Sequence, residues 1–225
     1  MKALAIDSSA NCIIFEAKNE DKTAKLSLDI GMHQSEQMLP SIQRVLDYVD
    51  LKPEELEFCA LCQGPGSFTG LRLSYSALKA FTLAFNTPLY AIPTLEAAAF
   101  PFHDFPGAVV AVLDAKKHRY YAAIYRGGKV NTSPVDAELE EILNLLDPEE
   151  RILAVGTGAA LFADCAHTAV PQYSISTFPT LQYDYTEQIL YLAQKKHAAK
   201  EKPLEEYEGP VYIRPSEAEE KLNNQ

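Results

Sequence analysis

The chain has 225 residues, enough to bury roughly 70–75% of its unfolded surface in one large core or two modest ones. Hydrophobic residues at 47% and charged residues at 23% are ordinary globular values, and they exclude a disordered or coiled-coil chain as a global description. With 20 Lys and Arg against 31 Asp and Glu the net charge is −11, which repels a phosphate backbone and argues against tight nucleic-acid binding by this chain alone.

Residues 2–6 read as an apolar strand ending at Asp7-Ser8-Ser9, with residues 12–17 as its hairpin partner. That opening run is too short for a signal-peptide core and no segment reaches transmembrane length, so a cytoplasmic address without membrane contact is expected. Four cysteines in a protein of this size make no disulfide framework. In residues 35–49 Met38, Leu39, Ile42, Val45, Leu46 and Val49 recur at helical spacing, and Pro40 must fall near the first turn or kink the helix. Residues 58–62 read as a strand running into Gly64-Pro65-Gly66, with a helix over 71–85 beyond it. Apolar residues wrap more than one face of that helix. It is therefore expected to pack against its own sheet and against a further layer, either intrachain or a partner protein.

Residues 101–106, bounded by prolines, form the best hinge candidate. A second strand over 108–113 ends at Asp114, residues 120–125 follow as its partner, and Gly127-Gly128 stops them. Residues 152–155 then lead into Gly156-Thr157-Gly158, a helix is expected over 186–199, and an extended segment over 209–215 precedes a polar tail at 217–225. Two hairpins with an aspartate at the first strand's exit, each followed by helix, strand, glycine turn and helix, fit a duplicated plan; plain α/β alternation is the simpler alternative.

The stretch CQGPGSFTGLRLS fails as a Walker loop, because Leu71-Arg72 stands where lysine and a hydroxyl residue are needed, and it fails as a dinucleotide fingerprint, because Thr69 stands at the sixth position. A tight turn with Ser67 or Thr69 capping a helix remains, and it serves either structure alone or contact with an anion or partner. Asp7, Ser8, Gly66, Ser67 and Thr69 are the candidates for nucleotide or anion contact. Asp7 and Asp114 stand where actin-like phosphotransferases carry carboxylates for metal-nucleotide, and Gly156-Thr157-Gly158 is placed like the turn that meets adenosine. Cys59 and Cys62 lie on a strand, where residues three apart face opposite sides, so they are expected in the core. The five histidines are too far apart in sequence for a local metal motif, and no nucleophile and base pair is visible for a peptidase.

MKALAIDSS, His33-Gln34-Ser35-Glu36 with Leu39-Pro40, GPGSFTGLR at 64–72, Thr94-Leu95-Glu96-Ala97, Asp114-Ala115-Lys116-Lys117 and Pro210-Val211-Tyr212-Ile213-Arg214 together resemble the TsaB (YeaZ) family through nearly the whole chain. The resemblance implies an α/β, duplicated actin-like (ASKHA, ribonuclease H-like) fold of two βββαβα-type domains, here 1–103 and 104–216, with 217–225 as tail. It also implies a non-catalytic scaffold required with the catalytic subunit TsaD and the ATPase TsaE for threonylcarbamoyl transfer to N6 of adenosine 37 in tRNAs reading ANN codons. ATP and metal are then expected on the partner subunits, tRNA contact only through the complex, and a homodimer when the chain is alone. By the same resemblance the pairing surface comprises Met38, Leu39, Ile42, Val45, Leu46, Val49, Leu71, Arg72, Tyr75 and Leu78, with the outward side of the helix over 71–85, and Ile42→Glu or Leu78→Glu should break pairing in a folded monomer. The second half departs from the family pattern in lacking an acidic residue before Tyr120 and an aspartate between Gly156 and Gly158. A small ASKHA phosphotransferase using Asp7 and Asp114 around Mg-ATP is the alternative.

Overall fold

A computed structural model describes residues 1–178 and 183–214. Its first half runs β1 (Lys2–Asp7), β2 (Ile13–Asn19), β3 (Lys22–Leu28), α1 (Gln34–Tyr48), β4 (Phe58–Gly64), α2 (Phe68–Phe85), β5 (Leu89–Pro93) and α3 (Thr94–Ala99). The second half runs β6 (Ala108–Asp114), β7 (Arg119–Arg126), β8 (Lys129–Glu138), α4 (Leu139–Leu143), β9 (Ile152–Val155), α5 (Ala159–Ala169), β10 (Ile175–Thr177) and α6 (Thr186–Ala198). The sheet order β3-β2-β1-β4-β5 recurs as β8-β7-β6-β9-β10. In both sheets the first three strands are antiparallel neighbours, and the first strand pairs parallel with the fourth. The duplicated plan is thus present strand for strand.

Central strands bury both faces, which is why β1, β4, β6 and β9 read as nearly unbroken apolar runs. Edge strand β3 alternates instead, and its lysines Lys22 and Lys25 protect an edge that would otherwise invite pairing. On one face of the first sheet Leu4, Ile6 and Phe15 pack against Met38, Ile42, Val45 and Leu46 of α1 and Tyr75 and Leu78 of α2. In the second sheet Val110, Val112 and Ile124 pack against Ile142 of α4 and Phe162 of α5.

The expected division at residue 103 is corrected. One compact unit takes Met1–Ala97 with Gln182–Pro210, and the other takes Ala98–Leu181 with Val211–Gln225, as far as these residues are described. Helix α6 packs on β1, β2, β4 and β5, with Ile189, Leu190 and Ala193 fully buried and the His197 ring 5.3 Å from that of Phe58. A buried carboxylate holds its first turn: Glu16 accepts from Thr186 Oγ1 at 2.7 Å and pairs with Lys25 at 3.1 Å and Lys18 at 3.4 Å. Lys25 also pairs with Asp184 at 2.7 Å. An unpaired charge in the Glu16 position would be prohibitively desolvated, so the helix that completes its coordination belongs to this sheet. The polar tail and Pro215 lie outside the described residues.

In the second unit Asp136 of β8 accepts from Arg119 Nε at 3.0 Å and from Arg214 Nε and Nη2 at 2.6 and 2.8 Å, a two-pronged clamp on the last described residue. Partial burial pushes the Asp136 carboxyl up, and the two guanidinium groups outweigh it, leaving it below the usual carboxylate range. A depressed carboxyl stabilises above its unfolded value, and that contribution is lost as pH falls through the folded one. Asp136→Asn is expected to lower the thermal midpoint at neutral pH, with a deficit that shrinks below about pH 4. Equal deficits across that range would remove ion pairing as the cause.

Candidate functional site

At the carboxyl end of β1 the chain turns on itself. Asp7 Oδ1 accepts the Ser9 N–H at 2.9 Å and the Ser9 hydroxyl at 2.7 Å. The Ser8 hydroxyl donates to Ser74 Oγ at 2.8 Å, which in turn donates to the Leu71 carbonyl at 3.0 Å. Onto this turn folds the loop after β4, whose Gly64-Pro65 bond is cis. Ser67 N–H donates to the Ser9 carbonyl at 2.8 Å, and Ser67 Oγ caps α2 by accepting from Gly70 N–H at 3.2 Å. A Cβ on Gly66 would lie 2.7 Å from the Ser9 oxygen, and one on Gly70 would lie 2.2 Å from the Ser8 oxygen. These glycines are there so that two backbones can touch.

The second unit repeats the device. Lys116 N–H donates to Asp114 Oδ1 at 2.8 Å, Gly158 N–H donates to the Val112 carbonyl at 3.0 Å, and a Cβ on Gly156 would lie 2.4 Å from that same oxygen. Part burial raises the Asp114 carboxyl, but Lys116 beside it prevails and holds it below the usual range. Asp7 behaves oppositely. Burial pushes it above the usual range, against hydrogen bonds from Ser9 and the Cys62 thiol, and the charge of Asp184 adds to the rise.

Of the five anion candidates, Asp7, Gly66 and Ser67 therefore bond or pack against Ser9, and Ser8 bonds Ser74. Thr69, exposed, and Ser67, half-buried, both line an open groove of about 620 Å³ with Asn11, Asp29, Gln34, Ser35 and Leu73. Within His33-Gln34-Ser35-Glu36 the buried member is Gln34, whose amide donates to the Asn11 carbonyl at 2.8 Å and ties α1 to the first hairpin turn. Cys59 and Cys62 are fully buried as expected, and burial pushes the Cys59 thiol up to about 12. Among the described residues no group of three or more His, Cys, Asp or Glu comes together to hold a metal, and no helix is long and apolar enough to cross a membrane.

The expected pairing surface needs correction. Met38, Ile42, Val45, Leu46, Val49, Leu71, Tyr75 and Leu78 are spent in the unit's own core, because an amphipathic stripe satisfies its own sheet first. Only Leu39, 60% exposed, and Arg72 face outward from that set. The same helices expose Leu83 at 76% and Phe85, on the outward side of 71–85, together with Tyr48 at 69% and Phe68, which the expected surface did not include. The Arg72 guanidinium sits 3.9 Å from the centroid of the Phe68 ring, a cation–π stack that orients the charge outward from the first turn of α2. Apolar residues off the core stripe were the available signal. Helix α2 carried enough of them to show that it has a second apolar region, but not which residues form it.

A family model described as tRNA N6-adenosine threonylcarbamoyltransferase, TsaD, matches residues 30–221. The chain is 24% identical to the tRNA threonylcarbamoyladenosine biosynthesis protein TsaB of Bacillus subtilis, across 98% of this chain and 97% of that protein. A Pseudomonas aeruginosa crystal structure, described as an uncharacterized protein with similarity to peptidase YeaZ, matches with a TM-score of 0.76 at 22% identity over 95% of this chain and 99% of that one. A Bacteroides thetaiotaomicron protein with an actin-like ATPase fold matches with a TM-score of 0.51 at 7% identity, over 84% and 95% of the two chains. Together with the repeated strand order, these likenesses show a duplicated actin-like fold.

Leu78→Ala should cost roughly 2–5 kcal/mol in urea denaturation, as a buried leucine does, and Ile42→Glu should unfold the unit instead of merely separating partners. A folded Ile42→Glu protein of wild-type stability would contradict the core assignment. For Asp7 the raised folded value favours the protonated form, so its stabilising contribution is present below the unfolded carboxylate range and is lost as pH rises through the folded value. Asp7→Asn should accordingly raise the thermal midpoint at neutral pH, and a lowered midpoint there would count against burial as the dominant cause.

Proposed function

The chain belongs to the tRNA N6-adenosine threonylcarbamoyltransferase family, among the proteins named TsaB or YeaZ, and from that membership we propose a non-catalytic scaffold in tRNA threonylcarbamoyladenosine biosynthesis. In this role it docks a TsaD-like catalytic subunit and works with a TsaE-like ATPase, so that the threonylcarbamoyl group reaches N6 of adenosine 37 in tRNAs reading ANN codons. ATP and metal sit on those partners, tRNA is met only through the complex, the free chain pairs with itself, and all of this takes place in the cytoplasm. The observation that carries the docking role is the exposed face of α1 and α2, where Leu39, Phe68, Arg72 and Leu83 present apolar area and one oriented cation. Aromatic and arginine side chains in such a setting are the usual energetic centre of an interface.

The groups that could do chemistry support the scaffold reading. Asp7 is covered and its Oδ1 receives both donors of Ser9, Ser8 is bonded to Ser74, and burial and the neighbouring Asp7 carboxyl push the Cys62 thiol far up. A thiol held protonated is a poor nucleophile. The matched aspartates Asp7 and Asp114 favour a second function, ATP-dependent phosphoryl transfer, and calorimetric titration of the isolated chain with Mg-ATP separates the two, since a phosphotransferase binds saturably.

Reconstitution with the TsaD-like and TsaE-like proteins of the same organism, reading modified adenosine by mass spectrometry, is expected to show transfer that depends on this chain. Leu39→Glu and Leu83→Glu are expected to weaken subunit binding about tenfold or more while leaving the melting curve unchanged. Equal modification with and without the chain would sink the scaffold role.

A further inference from the structure

The turn at residues 205–208 lies in the same unit as α2 and is braced from several directions. Lys79 of α2 donates its ammonium hydrogens to the carbonyl oxygens of Glu206 and Glu208. Glu205 pairs with Lys202, its N–H donates to the Glu208 carboxylate at 2.6 Å, and Glu208 N–H returns to the Glu205 carbonyl at 3.2 Å. Immediately before the turn, Leu204 N–H donates to the Leu89 carbonyl at 2.7 Å, and the Leu204 side chain packs on the first core. At the tip of this fixed backbone Tyr207 is 94% exposed.

A tyrosine ring left in water forgoes the burial that normally makes it stabilising, and on a frayed loop that would mean nothing. Here the ring is held on a preorganised turn, so docking it costs little further ordering. Lys79 stands one helical turn before Leu83, which makes the turn continuous with the exposed face of α2. Three glutamates flank Tyr207 in sequence; Lys202 pairs with Glu205, and among the described residues no cation pairs with the Glu206 carboxylate. A second copy of a chain with net charge −11 is a poor match for such an edge, and so is a phosphate backbone; a basic protein surface is complementary to it.

We propose that the 205–208 turn is the acidic edge of the docking face, and that Tyr207 enters an apolar recess rimmed by lysine or arginine on the catalytic partner. This rests on the docking role argued above. The partner's chemistry is thereby specified: apolar where it meets Leu39 and Leu83, basic where it meets Glu206.

Binding of the full chain to the purified TsaD-like subunit, measured by surface plasmon resonance at several salt concentrations, tests it. Tyr207→Ala should weaken affinity about tenfold with an unchanged melting curve, Tyr207→Phe should bind nearly as the wild type does, and Glu206→Lys should slow association and flatten its salt dependence. Wild-type affinity for Tyr207→Ala beside a weakened Leu83→Glu overturns the inference and leaves the docking face standing. Undiminished binding by both variants overturns the docking face itself. If Tyr207→Ala instead shifts self-association of the free chain in sedimentation velocity, with partner binding intact, the occupant is a second copy and the proposal is wrong.

Discussion

The carbonyl oxygens of Ser8 and Ser9 occupy the space where side chains on Gly70 and Gly66 would have to go, and the outer face of the first unit is organised by that backbone approach. It sets where α2 begins, because Ser67 donates its N–H to Ser9 and caps the helix with its hydroxyl. It also sets what α2 shows to solvent, since burying Gly70, Leu71 and Ser74 turns Phe68 and Arg72 outward. The Ser67 and Gly70 N–H groups, which in a phosphate loop could meet a ligand, are here engaged by the protein's own chain. The second unit also brings a glycine turn, Gly156 and Gly158, onto its first strand at Val112 and Asp114, and in both units the aspartate at the strand's exit accepts the N–H two residues on.

Charge then decides which sheet the last helix joins. Glu16 sits fully buried among Ile13, Ile14, Phe15 and Ala17, and its desolvation is tolerable only with Thr186 and Lys25 in place. Completing that pair brings a helix from the far end of the chain onto the first sheet. Asp136 performs the comparable service in the second unit, gathering Arg119 and Arg214.

Much of the fold was legible in the residues. The apolar runs at β1, β4, β6 and β9, the hairpin partners β2 and β7, and the helices α1, α2 and α6 follow from period and turn chemistry. Edge strands β3, β5, β8 and β10 were harder, because a half-solvated or short strand gives up the continuous apolar signal. The site was legible in its motifs but less so in its surfaces. GPGSFTGLR marked a turn and helix cap that the structure contains, whereas the stripe from Met38 to Val49 was an equally good pattern for a core and for an interface.

The sequence by itself determined the duplicated α/β plan, the turn and cap after β4, the buried cysteines and the family, since each depends on local periodicity, on glycine placement or on motif identity. Only the tertiary structure decided that α6 crosses back to the first sheet, that eight expected interface residues are core, and that Leu83 and Tyr207 stand exposed. The physical reason is common to all three. Periodicity shows that a helix has an apolar side, but which surface covers that side, and which buried carboxylate recruits a distant partner, is set by contacts between residues far apart in the chain.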